Sequence, residues 1–311
     1  MYSPKFWMIS LAFGLMVFGS TGFGAKSEET KKVVESEVQI KPIRLAMTDA
    51  FVSEAGIEVY ERIVKYLSDK TGLEFEFVTG FSYSTVDAML NDGAASLGFV
   101  CGLPYVLNRE RIFPTIRLVV APIMKLSHYN DQPKYFSYVI VHEDSKFENF
   151  SDLKGCTYVY NDKISNSGYN MPRVHLIELG KIHGFFGKVL RSGSNEESIR
   201  MVALGMADAS CVDSLVLDYD IVRNPEYARQ VKVIEKLGPA GIPPLVASTM
   251  TDPELVKTVQ KIMVEMKDDP QGRVILKEAL VDRFEVVDDS NYDDIRLMKK
   301  IAEKMGFLEI K

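Results

Sequence analysis

Short apolar runs alternate along the chain with longer segments in which apolar residues recur every three or four positions. The short runs predict strands at residues 43–47, 75–78 and 97–101, and the spaced pattern predicts a helix after each of them. An alternation of strand and helix is typical of right-handed βαβ units on a parallel sheet. The first third of the chain therefore predicts one α/β lobe.

A second block repeats this organisation further along the chain. Strands are predicted at residues 158–160, 188–190 and 209–212, and helices are predicted between them. Beyond residue 248 helices dominate, and we expect them to fold back on the first lobe. The pattern as a whole predicts an α/β protein with two lobes.

The segment after residue 160 has the features of an anion site. A polar turn leads there into a helix that has Pro172 in its first turn. Ser165, Ser167 and Gly168 lie where backbone N–H groups lack intrahelical partners, and glycine lets a ligand approach the main chain. Such a terminus can bind phosphate, sulfate or carboxylate without a charged side chain. The alternative is that Ser165 or Ser167 only caps the helix.

Polar and aromatic residues at other strand ends are further candidates, because ligands of open α/β sheets bind beyond the carboxyl ends of the strands. Tyr83 and Tyr105 lie at the starts of helices, Asn195 lies in a Ser-Gly-Ser loop, and Asp213 closes the predicted strand at 209–212. Each has a structural alternative. Tyrosine also packs on cleft walls, asparagine is common in solvated loops, and aspartate is a common helix cap.

Length and charge limit the class of protein. With 311 residues, 46% hydrophobic and 26% charged, the chain has the composition of a globular protein and room for two domains. The formal net charge is −6, and no basic stripe is present that could neutralise a nucleic-acid backbone. Nucleic acid is therefore not expected as a partner. A small anion in a cleft responds to local donors more than to net charge.

The N-terminal residues predict export from the cytoplasm. Lys5 precedes an apolar run at residues 6–18, which is followed by small and polar residues up to Ala25. This order is typical of a secretory signal peptide, predicted at residues 1–25, with a linker at residues 26–41. An uncleaved N-terminal anchor is the alternative.

No metal, cofactor or catalytic site is predicted. Cys101, Cys156 and Cys211 are widely spaced in apolar or strand-like settings, which predicts buried free thiols. The four histidines have no third ligand at a spacing that suits zinc. Neither G-x-S-x-G nor G-x-x-x-x-G-K-[ST] occurs.

Several motifs in a fixed order resemble one known family. They are G-L-P-Y ending at Tyr105, F-S-D-L-K-G at 150–155, S-N-S-G-Y-N-M-P at 165–172, S-G-S-N-E-E-S-I at 192–199 and G-M-A-D-A-S-C-V-D-S at 205–214. Through their order and spacing, the chain from about residue 43 to residue 292 resembles the phosphate-, phosphite- and phosphonate-binding periplasmic proteins of ABC transporters. These are type II solute-binding proteins.

The resemblance implies two Rossmann-like lobes joined by two crossover segments, with a ligand cleft between them. Residues 42–125 with 235–311 would form lobe 1, and residues 126–234 would form lobe 2. The implied ligand-binding residues are Tyr83, Tyr105, Ser165, Asn166, Ser167, Gly168, Asn195 and Asp213.

The implied function is that of the periplasmic solute-binding component of an ABC transporter. The protein would bind a small oxyanion such as phosphate, phosphite or a phosphonate, act as a monomer without a cofactor, and deliver its ligand to an inner-membrane permease. A ligand-sensing subunit of a membrane signalling protein is an alternative, because both uses need the same closing cleft. An enzyme on the same fold is the weaker alternative.

Three positions depart from the pattern of this family. Asn195 stands where histidine is usual, Ser96 replaces a common acidic residue, and Ala240 with Gly241 occupy a loop where an amino-phosphonate binder could carry an acid. Because asparagine cannot carry a positive charge as histidine can, Asn195 leaves the site without this possible cation, although its amide can donate a hydrogen bond. Phosphonate specificity therefore does not follow from the sequence.

Overall fold

Two β-sheets with helices packed against them make up the described part of the chain. In this computed structural model it comprises residues 41–48, 54–223 and 226–310. The predicted signal peptide at 1–25, and all but the last residue of the predicted linker, lie outside the described residues. No helix in these described ranges is long and apolar enough to cross a membrane.

Strands and helices alternate through most of the chain, as the apolar pattern predicts. The strands are β1 (Ile43–Thr48), β2 (Phe75–Phe81), β3 (Leu97–Phe99), β4 (Ile116–Met124), β5 (Lys134–His142), β6 (Thr157–Tyr160), β7 (Lys188–Arg191), β8 (Ala209–Asp213), β9 (Val231–Gly241), β10 (Leu245–Ser248) and β11 (Val281–Glu285). The helices are α1 (Glu54–Thr71), α2 (Tyr83–Asn91), α3 (Gly102–Arg109), α4 (Met171–Glu178), α5 (Asn195–Ala203), α6 (Ser214–Arg223), α7 (Pro253–Glu265), α8 (Pro270–Glu278) and α9 (Asp293–Lys304).

The first sheet is mixed, with strand order β11-β4-β10-β3-β1-β2. β1 pairs parallel with β2 and with β3, as expected for βαβ units. β10 runs antiparallel to its neighbours β3 and β4, and β11 runs antiparallel to β4. The prediction of a parallel sheet therefore holds for β1 to β3, and the later strands add antiparallel pairs.

The second sheet has strand order β7-β6-β8-β5-β9 and is also mixed. β6 pairs parallel with β7 and β8, whereas β5 is antiparallel to β8 and β9. β9 continues through the Pro-rich segment to Gly241, beyond residue 234, where the second lobe was predicted to end. The chain passes between the sheets twice, from β4 to β5 and from β9 to β10.

Buried apolar side chains line both sheets. Val59, Ile63 and Leu67 of α1 are buried on one helix face, as their spacing predicts. The prediction of buried free thiols is confirmed, because all three cysteines are buried and unpaired.

The C-terminal helix contacts both halves of the molecule. α9 packs against α3 beside the first sheet and also against α4 and β9 on the side of the second sheet. After α9, the Ile310 N–H donates to the Tyr169 hydroxyl at 2.9 Å, and Lys163 pairs with Glu309 at 2.5 Å. The segment therefore contacts more than the first lobe, on which we expected it to fold.

Candidate functional site

Polar residues from the two halves of the molecule meet where strands end and helices begin. The Asn161 side chain, directly after β6, donates from Nδ2 to the Tyr83 hydroxyl at 3.4 Å. The Asn166 N–H donates to the Cys101 sulfur at 3.4 Å. Because Tyr83 and Cys101 lie at the starts of α2 and α3, these contacts join helix starts beside the first sheet to loops of the second.

The predicted anion turn is one turn of π-helix, Asn166–Asn170, which leads directly into α4. Ser165 precedes it, and its Oγ accepts the Gly168 N–H at 3.1 Å. The Ser165 carbonyl accepts the Asn170 N–H at 3.0 Å, which closes the wide turn. Single π turns are rare in proteins, and those that do occur are often found at functional sites. Of the two interpretations of Ser165, the structure supports the capping role.

Ser167 differs from Ser165 in its hydrogen bonding. Its Oγ is buried and has no hydrogen-bond partner, while its carbonyl accepts the Ser137 hydroxyl at 2.7 Å. A buried hydroxyl left unpaired costs about 1–3 kcal/mol. A ligand that bonds to Ser167 Oγ would remove this cost.

Gly168 allows two parts of the site to approach each other closely. A methyl group on its Cα would overlap the Asn161 side-chain oxygen. That Asn161 Oδ1 atom is buried and has no hydrogen-bond partner. Glycine at position 168 therefore lets an unpaired acceptor lie directly against the turn.

Asn166 is the remaining predicted residue of this turn, and its side chain makes hydrogen bonds within the protein. Its Nδ2 donates to the Tyr135 hydroxyl at 3.0 Å, and its Oδ1 accepts from Asn170 Nδ2 at 3.0 Å. We conclude that Asn166 orients Tyr135 and stabilises the turn.

Asp213 and Asn195 lie together at the end of β8. Asn195 Oδ1 accepts the Asp213 N–H at 3.1 Å. Asp213 Oδ1 accepts the Leu215 N–H at 2.8 Å, whereas Oδ2 is buried without a partner. Burial raises the pKa of the Asp213 carboxyl to about 8, and the charge of Asp218 adds to the rise. Near neutral pH the side chain therefore holds a proton that it can donate.

Asp213 lies close enough to the other residues to influence their ionisation. Burial raises the pKa of the Cys101 thiol to about 11, and the charge of Asp213 contributes. Burial and nearby charges that include Asp213 raise the pKa of the Tyr83 and Tyr135 hydroxyls as well. The site is thus a polar cluster of Tyr83, Cys101, Tyr135, Asn161, Ser165, Asn166, Ser167, Gly168, Asn195 and Asp213.

Tyr105 has different contacts. Its hydroxyl donates to Asp289, and its ring lies 4.5 Å from the Tyr292 ring. The family resemblance implied that Tyr105 binds the ligand, and in the structure its hydroxyl bonds to an acidic residue of the C-terminal region.

Three residues of the polar cluster were not predicted as site residues: Cys101, Tyr135 and Asn161. Asn161 had a recognisable signal, because it is a polar residue at the carboxyl end of a strand. Tyr135 had no such signal in the sequence, because its hydroxyl is brought to the turn only by the pairing of strands that are distant in the chain.

The comparison with known protein families decides what kind of protein carries this site. Residues 46–292 match the family described as "ABC transporter, phosphonate, periplasmic substrate-binding protein". The chain belongs to this family. As a phosphonate-family binding protein it is the periplasmic substrate-binding component of an ABC transporter, works with a membrane permease and is not an enzyme. The predicted family and function are confirmed, and the sensor alternative is not favoured.

Solved structures show the same fold for this binding protein. The binding-protein component of a phosphonate ABC transporter from Pseudomonas aeruginosa has a TM-score of 0.76 and 19% identity, covering 85% of this chain and 88% of that chain. PhnD1 from Prochlorococcus marinus, in complex with methylphosphonate, has a TM-score of 0.75 and 17% identity, covering 85% and 99%. A Xanthomonas citri protein bound to ATP has a TM-score of 0.61 and 15% identity, covering 86% and 97%. The predicted type II periplasmic binding protein fold is confirmed.

Proposed function

We propose that this binding protein holds a small phosphonate, such as methylphosphonate, in the polar cluster between the two sheets. The observation that carries the proposal is that three of the nine buried side-chain atoms without hydrogen-bond partners in the described residues belong to this cluster: Asn161 Oδ1, Ser167 Oγ and Asp213 Oδ2. Buried polar groups are almost always hydrogen-bonded in folded proteins. Their concentration in one cluster supports a polar ligand, and PhnD1, which shares the fold, is solved with methylphosphonate.

Each of the three atoms has a chemical role in this proposal. Ser167 donates from Oγ to a phosphonate oxygen, and protonated Asp213 donates from Oδ2 to a second one. Asn161 Oδ1 accepts the proton of a singly ionised phosphonate. None of the side chains in the polar cluster is a cation, so the ligand is bound by neutral donors.

Cleft closure would deliver the ligand in a form that the permease recognises. The lobes predicted at residues 42–125 with 235–311 and at residues 126–234 would move about the two crossovers, as in hinged binding proteins. We further propose that the protein is exported by its N-terminal signal peptide and acts as a monomer.

Calorimetry with two serine variants tests the site. Ser167→Ala should weaken methylphosphonate binding about tenfold to a hundredfold, because hydrogen bonds to charged groups contribute about 1.5–3 kcal/mol. The free energy of unfolding of the ligand-free variant should not fall and should rise by up to about 1–3 kcal/mol, because the variant removes a buried hydroxyl that has no partner in the protein.

Ser165→Ala is the comparison variant at the neighbouring serine, whose Oγ already bonds within the protein. It should lower the free energy of unfolding by about 1 kcal/mol, because its Oγ caps the π turn. Unchanged affinity in Ser167→Ala would contradict the assignment of this turn as the anion site.

A further inference from the structure

Three consecutive hydrogen bonds connect the polar cluster to a charged side chain outside it. Arg173, in the first turn of α4, donates from Nη2 to Asn170 Oδ1 at 2.8 Å. Asn170 Nδ2 donates to Asn166 Oδ1 at 3.0 Å, and Asn166 Nδ2 donates to the Tyr135 hydroxyl at 3.0 Å. We call these four side chains the relay. Its last three members are fully buried.

The guanidinium of Arg173 sets the direction of every bond in the relay. Arginine has N–H donors and no acceptor, whereas an asparagine side chain has an acceptor oxygen and a donor nitrogen. Arg173 therefore faces the Asn170 oxygen, which turns the Asn170 nitrogen toward Asn166. The Asn166 nitrogen is turned toward Tyr135 in the same way. Within the described residues, no other hydrogen bond fixes the orientation of either side-chain amide.

The last bond of the relay leaves the Tyr135 hydroxyl with a free proton. A tyrosine hydroxyl can accept a hydrogen bond and donate its own proton. Since its oxygen accepts from Asn166, the proton needs a different acceptor, and none lies among the described residues. Burial raises the pKa of the Tyr135 hydroxyl, and the charges of Cys101 and Asp213 contribute, which places the hydroxyl beside other members of the polar cluster.

We infer that Arg173 is a positioning residue, which keeps the Tyr135 proton available to a phosphonate oxygen without touching the ligand itself. The inference rests on the proposed function and adds a third neutral donor to Ser167 and Asp213. Without Arg173 both side-chain amides of the relay can turn over. Tyr135 would then donate its proton to Asn166 Oδ1, and the ligand would lose a hydrogen bond.

A double-mutant cycle with methylphosphonate, measured by calorimetry, tests this role. Tyr135→Phe removes the proton and should weaken binding about tenfold or more, because hydrogen bonds to charged groups are the strong ones. Arg173→Met should weaken binding about threefold to tenfold in the wild type, but less than about twofold in the Tyr135→Phe protein. Arg173→Lys keeps a side chain with donors only and should bind within about threefold of the wild type.

Asn170→Asp is a second variant that reverses the relay with little change in shape. Its carboxylate only accepts, so Asn166 would turn its nitrogen toward it and its oxygen toward Tyr135. Affinity should fall in the wild type and should fall at least about threefold less in the Tyr135→Phe protein.

Arg223→Met makes the same change as Arg173→Met at an arginine outside the relay. The Arg223 guanidinium also lies near a tyrosine ring, 5.4 Å from the Tyr219 centroid. The corresponding distance from Arg173 to the Tyr169 ring is 5.8 Å. Arg223→Met should bind methylphosphonate within about twofold of the wild type, since it shares no partner with the relay. Urea unfolding of each variant confirms that it is folded.

The outcomes separate the positioning role from the proposed function. Equal losses for Arg173→Met in the wild type and in Tyr135→Phe would overturn the positioning role, because a direct attraction between the Arg173 charge and the anion does not depend on Tyr135. Unchanged affinity in Tyr135→Phe would overturn it as well. Both results leave the proposed function standing, since the wild type still binds methylphosphonate. No binding to the wild type would overturn both proposals together.

Discussion

Ser165 and Ser167 lie two residues apart, but their hydroxyl groups have different hydrogen bonding. Both lie at a predicted helix start, and helix-capping preferences apply to both equally. In the structure Ser165 Oγ accepts the Gly168 N–H, while Ser167 Oγ is buried without a partner. The distinction arises from the π turn, whose extra width changes which hydroxyl meets a backbone N–H. Sequence patterns do not encode this width.

Asp213 predicts a specific pH dependence of stability. Its pKa is raised to about 8 by burial, against about 3.9 in an unfolded chain. Between these values the unfolded state releases the proton and the folded state keeps it. Stability of the ligand-free protein should therefore fall as pH rises through this window, by up to about 1.4 kcal/mol per pH unit.

Asp213→Asn should remove this contribution, because the amide is neutral at every pH in the window. Urea unfolding of the ligand-free protein at pH 5, 6 and 7 measures the slope. Asp268→Asn makes the same change at an exposed acid and should leave the slope unaltered. An equal slope in wild type and Asp213→Asn would show that Asp213 ionises normally in the folded protein.

At the scale of elements, the apolar pattern located most strands and helices but missed two features of the sheets. β11 was not predicted, because its buried residues Val281 and Phe284 are three positions apart and a bulge interrupts the pairing with β4. The extension of β9 to Gly241 was not predicted either, since the proline and glycine residues near its end favour a loop. In both cases pairing with a distant strand outweighed the local signal.

The π turn before α4 also yields a prediction. Gly168→Ala should weaken methylphosphonate binding at least tenfold, because the added methyl group would displace Asn161 from the turn. A loss of about 1–3 kcal/mol in stability is expected from the overlap. Isothermal calorimetry and urea unfolding measure the two effects.

Gly187→Ala is a matched control for this variant. Its added methyl group would overlap the Gly155 backbone, and neither residue belongs to the polar cluster. It should therefore lower stability while leaving affinity close to that of the wild type. If both glycine variants bind equally well, close approach at Gly168 has no part in ligand binding.

At the scale of the whole molecule, the sequence predicted two α/β units and two crossovers, and the sheet topology agrees with both. The role of the C-terminal segment could not be predicted, because it depends on packing between distant elements. α9 contacts α3, α4 and β9. After α9, the Ile310 N–H donates to the hydroxyl of Tyr169, which lies in the π turn at residues 166–170.

Removal of residues 307–311 should therefore destabilise the protein and weaken binding. Phe307 and Ile310 are both buried, and burial of such side chains contributes about 1.5–3 kcal/mol each. We expect a loss of about 3–6 kcal/mol in the free energy of unfolding, measured with urea. A variant lacking only Lys311 should match the wild type. Equal stability of the two truncated variants would show that the C-terminal contacts contribute nothing.

In the proposed site, neutral donors around Ser167 bind the phosphonate group. A crystal structure of the wild-type protein with methylphosphonate tests it most directly. We expect one phosphonate oxygen within hydrogen-bond distance of Ser167 Oγ and a second within that distance of Asp213 Oδ2. A phosphonate bound elsewhere, with both atoms still unpaired, would contradict it.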